Sequence, residues 1–120
     1  ATKDMPLGLF GASTGAAAAL EAAAKSKGLV MAVVSRGGRP DMAMKVLGGV
    51  EAPTLLIVGG ADYGVIELNI AAYESLGSTK ELQIVPGATH LFEEPGCLEE
   101  VARLAKEWFK KYLYPSNQGP

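Results

Sequence analysis

Four short apolar runs alternate with four segments of helical character along this chain of 120 residues. Several of the runs are continuous and rich in β-branched side chains, which is typical of strands that are buried on both faces of a sheet. The predicted strands span 7–12, 29–34, 54–58 and 82–85, and the predicted helices span 14–27, 42–47, 65–76 and 97–113. Such alternation favours a parallel sheet with right-handed crossovers and helices on both faces. We therefore predict an α/β fold with about four parallel strands.

Length and composition limit the class of protein. No linker interrupts the chain, so we place one domain at residues 1–114 and expect the polar residues 115–120 to be a disordered tail. The net charge is −2 and no basic stripe is present, which argues against nucleic acid as a partner. No apolar run is long enough to cross a bilayer, so no membrane partner is expected. The single cysteine, Cys97, fits a reducing compartment and a cytoplasmic location.

The first predicted strand runs into a serine that has a glycine two residues to either side, in the stretch Gly11-Ala12-Ser13-Thr14-Gly15. A sharp turn between strand and helix would expose the Ser13 hydroxyl above the end of the strand. We expect that any side chain larger than that of glycine at position 11 or 15 would collide with the backbone as the chain doubles back. The helix N-terminus would add backbone N–H groups and the positive end of a dipole where an oxyanion forms. The stretch lacks the glycine spacing of phosphate-binding loops, which disfavours a nucleotide site.

Three loops at one edge of the predicted sheet carry the groups that a serine nucleophile needs. Ser13 follows the first strand, Asp62 the third and His90 the fourth, and ligands of parallel sheets bind beyond the carboxyl ends of strands. Serine needs a base to take its proton, and a histidine of pKa about 6.5 suits that task. A carboxylate would orient the imidazole. His90 is the only histidine, so a histidine-based metal cluster is not offered, and no metal or organic cofactor is predicted.

Each of these residues also has an ordinary structural interpretation. Ser13 and Asp62 could cap the helices that follow them, and His90 could bond to backbone in its loop. Asp41 is an alternative orienting acid, one strand earlier in the chain.

Further residues are candidates for binding substrate. Arg36 and Arg39 could bind a substrate carboxylate, or they could belong to a solvated loop with one ion pair to Asp41. Tyr63, the residue after Asp62, could line the pocket.

The segments LGLFGASTGAAAALEAAA, VVSRGGRPD, APTLLIVGGADYGVIELN and VPGATHLFEEPG together resemble the C-terminal half of a dienelactone hydrolase-like α/β-hydrolase. The resemblance implies that Ser13 is the nucleophile, His90 the base and Asp62 the orienting acid. It also implies that the Thr14 N–H forms half of an oxyanion hole. The expected activity is hydrolysis of short-chain or activated carboxylic esters through an acyl-enzyme. The alternative is a non-catalytic half-domain that serves folding or assembly.

The resemblance begins at the predicted strand 7–12, the elbow strand, which leads into the serine turn. The loop that supplies the second oxyanion N–H in this family is therefore not matched, so we expect slow turnover. A replacement donor could come from the loop 36–39, from a water or from another subunit. The elbow strand would have an open edge, and apolar helix surface would be exposed near Phe109, Tyr112 and Tyr114. We expect a homodimer to cover one of these surfaces.

Overall fold

The computed structural model describes residues 7–113 of the chain. Within them lie four strands, three α-helices and one 3₁₀ segment, in the predicted order. The strands are β1 (Leu7–Ala12), β2 (Val30–Arg36), β3 (Thr54–Gly59) and β4 (Lys80–Val85). The helical elements are α1 (Thr14–Lys25), the 3₁₀ segment (Pro40–Gly49), α2 (Tyr63–Ser75) and α3 (Cys97–Leu113). The predicted tail at 115–120 and the predicted surface residue Tyr114 lie outside the described residues.

The four strands form one parallel sheet in the order β1-β2-β3-β4. The predicted α/β class with a four-stranded parallel sheet is therefore confirmed. Parallel neighbours require crossover connections, so every strand ends at the same edge of the sheet. Ala12 pairs with Arg36 at that edge, and Gly59 pairs with Val85. The loops that follow β1, β2, β3 and β4 consequently leave the sheet side by side.

Helical elements cover both faces of the sheet and give the domain two apolar layers. On one face α1, the 3₁₀ segment and α2 pack on the sheet through buried residues that include Leu20, Ala43, Leu47 and Ala72. On the other face α3 packs through Val101, Ala105 and Trp108, together with Phe92 from the loop that precedes it. All six residues of β3 are buried, because helices cover this strand from both sides. No helix between residues 7 and 113 combines the length and the apolar character that a bilayer crossing requires.

The ends of several elements differ from the predicted ones. β2 continues through Ser35 and Arg36, which were expected in a loop, because both residues pair with β1 and β3 on either side. α1 ends at Lys25, since the next residues form a turn in which the Leu29 N–H donates to the Ser26 carbonyl. The predicted short helix at 42–47 is a longer 3₁₀ segment that is kinked at Ala43.

The predicted sites of apolar exposure were the open edge of β1 and the surface of α3 near Phe109 and Tyr112. Phe109 is half-buried, and its ring packs directly over Gly8 of β1. Tyr112 is also half-buried, with its ring 4.6 Å from that of Trp108. Leu7 and Phe10 of β1 are instead 46% and 49% exposed. Within residues 7–113, β1 is an edge strand of the sheet, so its outer backbone groups and two large apolar side chains face solvent together.

Candidate active site

Ser13 occupies a strained turn between β1 and α1. Its backbone has φ 52° and ψ −127°, which residues with a side chain adopt only at a cost of about 1–3 kcal/mol. Three backbone hydrogen bonds hold the turn: the Ser13 N–H donates to the Arg36 carbonyl at 3.3 Å, and the Ser13 carbonyl accepts from Ala16 at 3.1 Å and from Arg39 at 3.0 Å. The hydroxyl makes no capping hydrogen bond to α1, so the capping interpretation is wrong.

The two glycines of this turn have different roles. A Cβ on Gly11 would lie 2.4 Å from the Gly15 carbonyl oxygen and 2.7 Å from the backbone of Ala16, so only glycine lets the helix pass so close to the strand. A Cβ on Gly15 would meet nothing within 4 Å among the described residues. The expected collision is therefore present at Gly11 and absent at Gly15.

Ser13, His90 and Asp62 form a continuous series of hydrogen bonds. The Ser13 Oγ lies 2.8 Å from His90 Nε2, and His90 Nδ1 lies 2.8 Å from Asp62 Oδ2. An ionised carboxylate only accepts hydrogen bonds, so Nδ1 carries the proton and Nε2 accepts from the serine hydroxyl. The His90 side chain is 40% exposed and that of Asp62 15% exposed, so the imidazole is open to solvent while the carboxylate is shielded.

Backbone hydrogen bonds tie the loop that carries Asp62 to the loop that carries His90. The Gly60 N–H donates to the Val85 carbonyl at 2.8 Å, and the Ala61 N–H donates to the Ala88 carbonyl at 2.9 Å. Asp62 precedes α2, but its carboxylate makes no capping hydrogen bond. The carboxylate is turned to the imidazole instead, so the capping interpretation of Asp62 is wrong as well.

A buried phenylalanine anchors the loop that carries the histidine. Phe92 is fully buried although its φ is 57°, and its N–H donates to the Thr89 carbonyl at 3.0 Å, which closes the turn around His90. The ring packs against Gly37, where an added Cβ would lie 3.1 Å from the ring and 3.2 Å from the His90 carbonyl oxygen. The loop after β2 and the histidine loop are therefore in direct contact.

A carboxylate holds the same loop from its solvent side. Glu94 accepts from the Thr89 N–H at 3.0 Å and from the Thr89 hydroxyl at 2.6 Å. These hydrogen bonds hold the pKa of the Glu94 carboxyl below its ordinary value, and the bond from the Thr89 hydroxyl contributes most. Glu94 therefore folds back on Thr89, the residue before His90.

The other candidates from the sequence lie outside the hydrogen-bonded series. Asp41 accepts two hydrogen bonds from Arg39, both of 3.0 Å, and the guanidinium holds the pKa of this carboxyl below its ordinary value. Asp41 is thus paired with Arg39 and is not the partner of His90. The Arg36 guanidinium lies 5.6 Å from the centre of the Phe92 ring, and its Nε has no hydrogen-bond partner among residues 7–113. Tyr63 begins α2 and is 76% exposed.

The backbone N–H groups near Ser13 differ in their availability. Thr14 is the first residue of α1, and the N–H groups of a first helical turn have no acceptor within the helix. The loop after β2 was one predicted source of a second donor. However, the Gly37 N–H donates to the Ile57 carbonyl at 2.7 Å, and the Arg39 N–H donates to the Ser13 carbonyl. These two N–H groups are therefore engaged in holding the loop and the serine turn.

Asn69, Phe92 and Glu94 contribute to the surroundings of the series and were not recognised in the sequence. The helical spacing of Asn69 was a usable signal in the sequence. Asn69 follows Val65 by four residues and precedes Ala72 by three, which places its amide on the buried side of α2. The left-handed backbone of Phe92 and the hydrogen bonds between Glu94 and Thr89 do not show in the sequence as a periodic pattern.

A separate groove lies near the other end of the strands, where β3 and β4 begin. It has a volume of about 170 Å³ and is lined by Leu55, Glu81, Leu104, Glu107, Trp108 and Lys111. Leu55 and Glu81 are second residues of their strands, whereas the Ser13 series follows the strand ends, so the groove is not part of that site. Among residues 7–113, no group of three His, Cys, Asp or Glu side chains is arranged to hold a metal ion.

Solved structures of hydrolases share this fold. A dienelactone hydrolase from Anabaena variabilis is 61% identical to this chain with a TM-score of 0.88, over 88% of this chain and 49% of that enzyme. A monoacylglycerol lipase from Paleococcus ferrophilus is 21% identical with a TM-score of 0.76, over 87% of this chain and 68% of the lipase. An esterase domain from Rhodothermus marinus is 18% identical with a TM-score of 0.80, over 90% of this chain and 62% of that domain. The last two likenesses concern the fold alone.

Curated relatives are similar in sequence but much longer. Two proteins of Mycobacterium tuberculosis, from strains CDC 1551 and H37Rv, are each named provisionally as a phosphoribosyl transferase. Each is 61% identical over 112 residues, which is 93% of this chain but 25% of the relative. No family profile matches the chain.

The fold is that of the α/β-hydrolases, with the serine turn, the Asp62 loop and the histidine loop at one edge of the sheet. Within that class the chain is dienelactone hydrolase-like, which confirms the resemblance found in the sequence. It spans about half of the length of the Anabaena enzyme and a quarter of the length of the curated relatives.

Proposed function

We propose that this protein is a serine-dependent hydrolase of short-chain or activated carboxylic esters. The observation that carries the proposal is the series from the Ser13 hydroxyl through His90 to Asp62, with both hydrogen bonds at 2.8 Å. The strained backbone of Ser13 adds support, because strain of this kind is concentrated at functional sites. The hydrolase fold of its structural relatives agrees with this chemistry.

Acylation follows from the orientation of these three groups. The Ser13 Oγ attacks the ester carbonyl carbon while His90 Nε2 takes the hydroxyl proton, and Asp62 stabilises the imidazolium that forms. The carbonyl oxygen becomes an oxyanion, to which the Thr14 N–H donates at the positive end of the α1 dipole. His90 Nε2 then gives its proton to the leaving alcohol oxygen as the carbon–oxygen bond breaks, which leaves an acyl group on Ser13.

Deacylation repeats the sequence with water. His90 takes a proton from the water as its oxygen attacks the acyl carbon, and the proton then returns to Ser13 as the carboxylic acid leaves. We expect slow turnover for the chain alone, because the Gly37 and Arg39 N–H groups are engaged and Thr14 is the one donor that we assign. Loss of one oxyanion donor costs about 10²–10³ in kcat.

The phosphoribosyl transferase name of the curated relatives is not transferred to this chain. The match covers 25% of each of those proteins, and the fold of the matched segment is that of hydrolases. We also propose a cytoplasmic location, because the single cysteine fits a reducing compartment.

We further propose that a second copy of the chain pairs with the edge of β1. The support is the exposure of Leu7 and Phe10 on that edge strand, 46% and 49%, since such strands template pairing with another chain. Light scattering after size exclusion should give twice the monomer mass at micromolar concentration, and Phe10→Lys should shift it toward the monomer. A wild-type monomer at that concentration would contradict the pairing.

Labelling by a fluorophosphonate probe tests the proposed chemistry. The wild-type chain should become labelled at Ser13, and Ser13→Ala and His90→Ala should reduce both the labelling and the hydrolysis of p-nitrophenyl acetate to background. Asp62→Asn should slow hydrolysis by roughly 10³–10⁴-fold, because it favours the wrong imidazole tautomer.

Ser75→Ala is a matched control, because Ser75 is exposed and its hydroxyl bonds only to the Ala71 carbonyl of its own helix. This variant should be labelled at the wild-type rate. Equal labelling of the Ser13→Ala, His90→Ala and wild-type chains would overturn the proposal and favour the non-catalytic half-domain.

A further inference from the structure

Asn69 is a fully buried amide on α2, and its hydrogen bonds lead toward the serine turn. Its Nδ2 donates to the Gly38 carbonyl at 3.2 Å and to the Val65 carbonyl of its own helix at 2.9 Å. A buried amide is costly unless it is hydrogen-bonded, so a residue of this type in an apolar layer needs a specific partner. The partner outside its helix is the loop that follows β2.

Gly38 and Arg39 connect the amide to the nucleophile turn. Gly38 is followed directly by Arg39, whose N–H donates to the Ser13 carbonyl at 3.0 Å. The route from Asn69 to Ser13 therefore consists of one side-chain hydrogen bond, the single peptide group between Gly38 and Arg39, and one backbone hydrogen bond.

Close packing at Gly38 leaves the loop little freedom to move. A Cβ at this position would lie 2.3 Å from both the Ala16 Cβ and the Ser35 Oγ, and 3.5 Å from the Ser13 carbonyl oxygen. Gly38 thus packs against the back of the serine turn and the first turn of α1. A displacement of the Gly38 carbonyl would be transmitted to Ser13, because closely packed groups do not absorb small shifts.

We propose that Asn69 is a positioning residue for Ser13, acting through Gly38 and Arg39. The inference rests on the proposed ester hydrolysis for its effect on rate, but not for the hydrogen bonds on which it is built. Asn69 holds the loop after β2, the loop holds the Ser13 carbonyl, and the backbone of Ser13 sets the direction of its hydroxyl toward His90. Errors of about 1 Å in such positioning can cost about 10²-fold in rate.

Two substitutions of Asn69 test this role. Asn69→Ala removes the donor to the Gly38 carbonyl, and we expect kcat for p-nitrophenyl acetate to fall by about tenfold or more with KM little changed. Asn69→Asp keeps the shape of the side chain but removes the donor while the carboxyl is ionised. Burial raises the pKa of the introduced carboxyl, and its protonated form can donate to Gly38 again. The kcat of Asn69→Asp relative to the wild type should therefore rise as pH falls.

Matched controls separate positioning from general loss of stability. Val101→Ala removes buried volume from the α3 layer on the other face of the sheet, and Ser75→Ala removes a side-chain bond to a carbonyl of α2. Both should keep the wild-type kcat at a temperature where they are folded. Full kcat in folded Asn69→Ala, or a pH-independent ratio for Asn69→Asp, would overturn the inference.

Amide hydrogen exchange of the wild-type chain gives a measure that requires neither activity nor a variant. The Arg39 N–H should exchange as slowly as the core amides of β3, because it donates to the Ser13 carbonyl while the Gly38 carbonyl of the same peptide group accepts from Asn69. Fast exchange of Arg39 would overturn the inference even if both Asn69 variants failed to fold. An unlabelled wild-type chain with a slowly exchanging Arg39 would instead overturn the proposed hydrolysis and leave the positioning intact.

Discussion

The serine turn (residues 11–15) and the histidine loop (residues 86–94) meet in one hydrogen bond, but they are held in different ways. Uncharged backbone groups hold the serine turn, through the Arg36 carbonyl and the Arg39 N–H. The histidine loop also has backbone hydrogen bonds, such as that from the Ala61 N–H to the Ala88 carbonyl, but it is held in addition by two side chains. These are the buried ring of Phe92 and the carboxylate of Glu94 on the exposed side of the loop.

The lengths of the two connections explain this difference. One residue, Ser13, separates β1 from α1, so the chain itself fixes the turn and stores strain there. Eleven residues separate β4, which ends at Val85, from α3, which begins at Cys97. A longer connection has more conformations to exclude, so it needs side-chain anchors. Substitutions should therefore affect the turn through its backbone, whereas the loop should respond to loss of a side chain and to pH.

The largest effect is expected from Phe92→Ala. Removing a fully buried phenylalanine costs about 3–5 kcal/mol in the free energy of unfolding. The variant should also lose kcat in its folded state, because the ring anchors the turn that carries His90. Urea unfolding and labelling at low temperature measure the two effects.

Leu91→Ala is the neighbouring control for this prediction. Leu91 is 53% exposed, so its truncation should change the free energy of unfolding by less than about 0.5 kcal/mol. Equal losses of stability in Phe92→Ala and Leu91→Ala would contradict the view that burial of one ring holds the histidine loop.

A smaller effect is expected from Gly11→Ala in the serine turn. The new Cβ would meet backbone atoms at 2.4–2.7 Å, and backbone cannot move aside as a flexible side chain can. Overpacking of this kind costs about 1–3 kcal/mol in the free energy of unfolding, and ester hydrolysis should fall with it. Chemical denaturation and the fluorophosphonate labelling rate check these two outcomes.

Gly15→Ala is the matched control in the same turn. Its Cβ has open space in the described part of the chain, and alanine in a helix is favoured over glycine by roughly 0.5–1 kcal/mol. The substitution should leave stability unchanged or raise it. If both glycine substitutions were equally damaging, the distinction between the two positions would be wrong.

The fold was predictable from the sequence because its signals are local and periodic. The apolar runs, together with the helical spacing of the apolar residues in α3, predicted every strand and helix. The predicted bounds of β1 and α3 agree with the structure. The end of β2 was missed because Ser35 and Arg36 are polar residues in a strand that pairs on both sides. Strand pairing of this kind outweighs local preference, and a single sequence does not show it.

The candidate site was predictable only in part. Ser13, Asp62 and His90 follow strand ends, so the parallel topology alone places them at one edge of the sheet. The supports of these residues depend on three-dimensional contacts. Asn69 reaches a glycine carbonyl 31 residues away, and Glu94 reaches back five residues to Thr89. Gly15 shows the converse error, because the glycine pattern suggested a collision, whereas a Cβ at this position has open space among the described residues.

The smallest effect is expected from Glu94→Gln, and its sign depends on pH. The hydrogen bonds from Thr89 lower the pKa of Glu94 in the folded state, so the ionised carboxylate stabilises the fold above the pKa of the unfolded chain. That contribution is lost as pH falls through the folded-state pKa. The Tm of the wild type should therefore exceed that of Glu94→Gln near pH 7, and the two values should converge toward about pH 3.

Glu93→Gln removes the same charge from the neighbouring exposed residue and is the control. The Tm of Glu93→Gln should converge less with that of the wild type as pH falls, and the kcat of this control should stay at the wild-type value. The kcat of Glu94→Gln should fall, though by less than about tenfold, because Glu94 holds Thr89 and Thr89 adjoins His90. Equal pH profiles of Tm for the two variants would mean that general surface charge, and not the contact with Thr89, sets the acid response of the histidine loop.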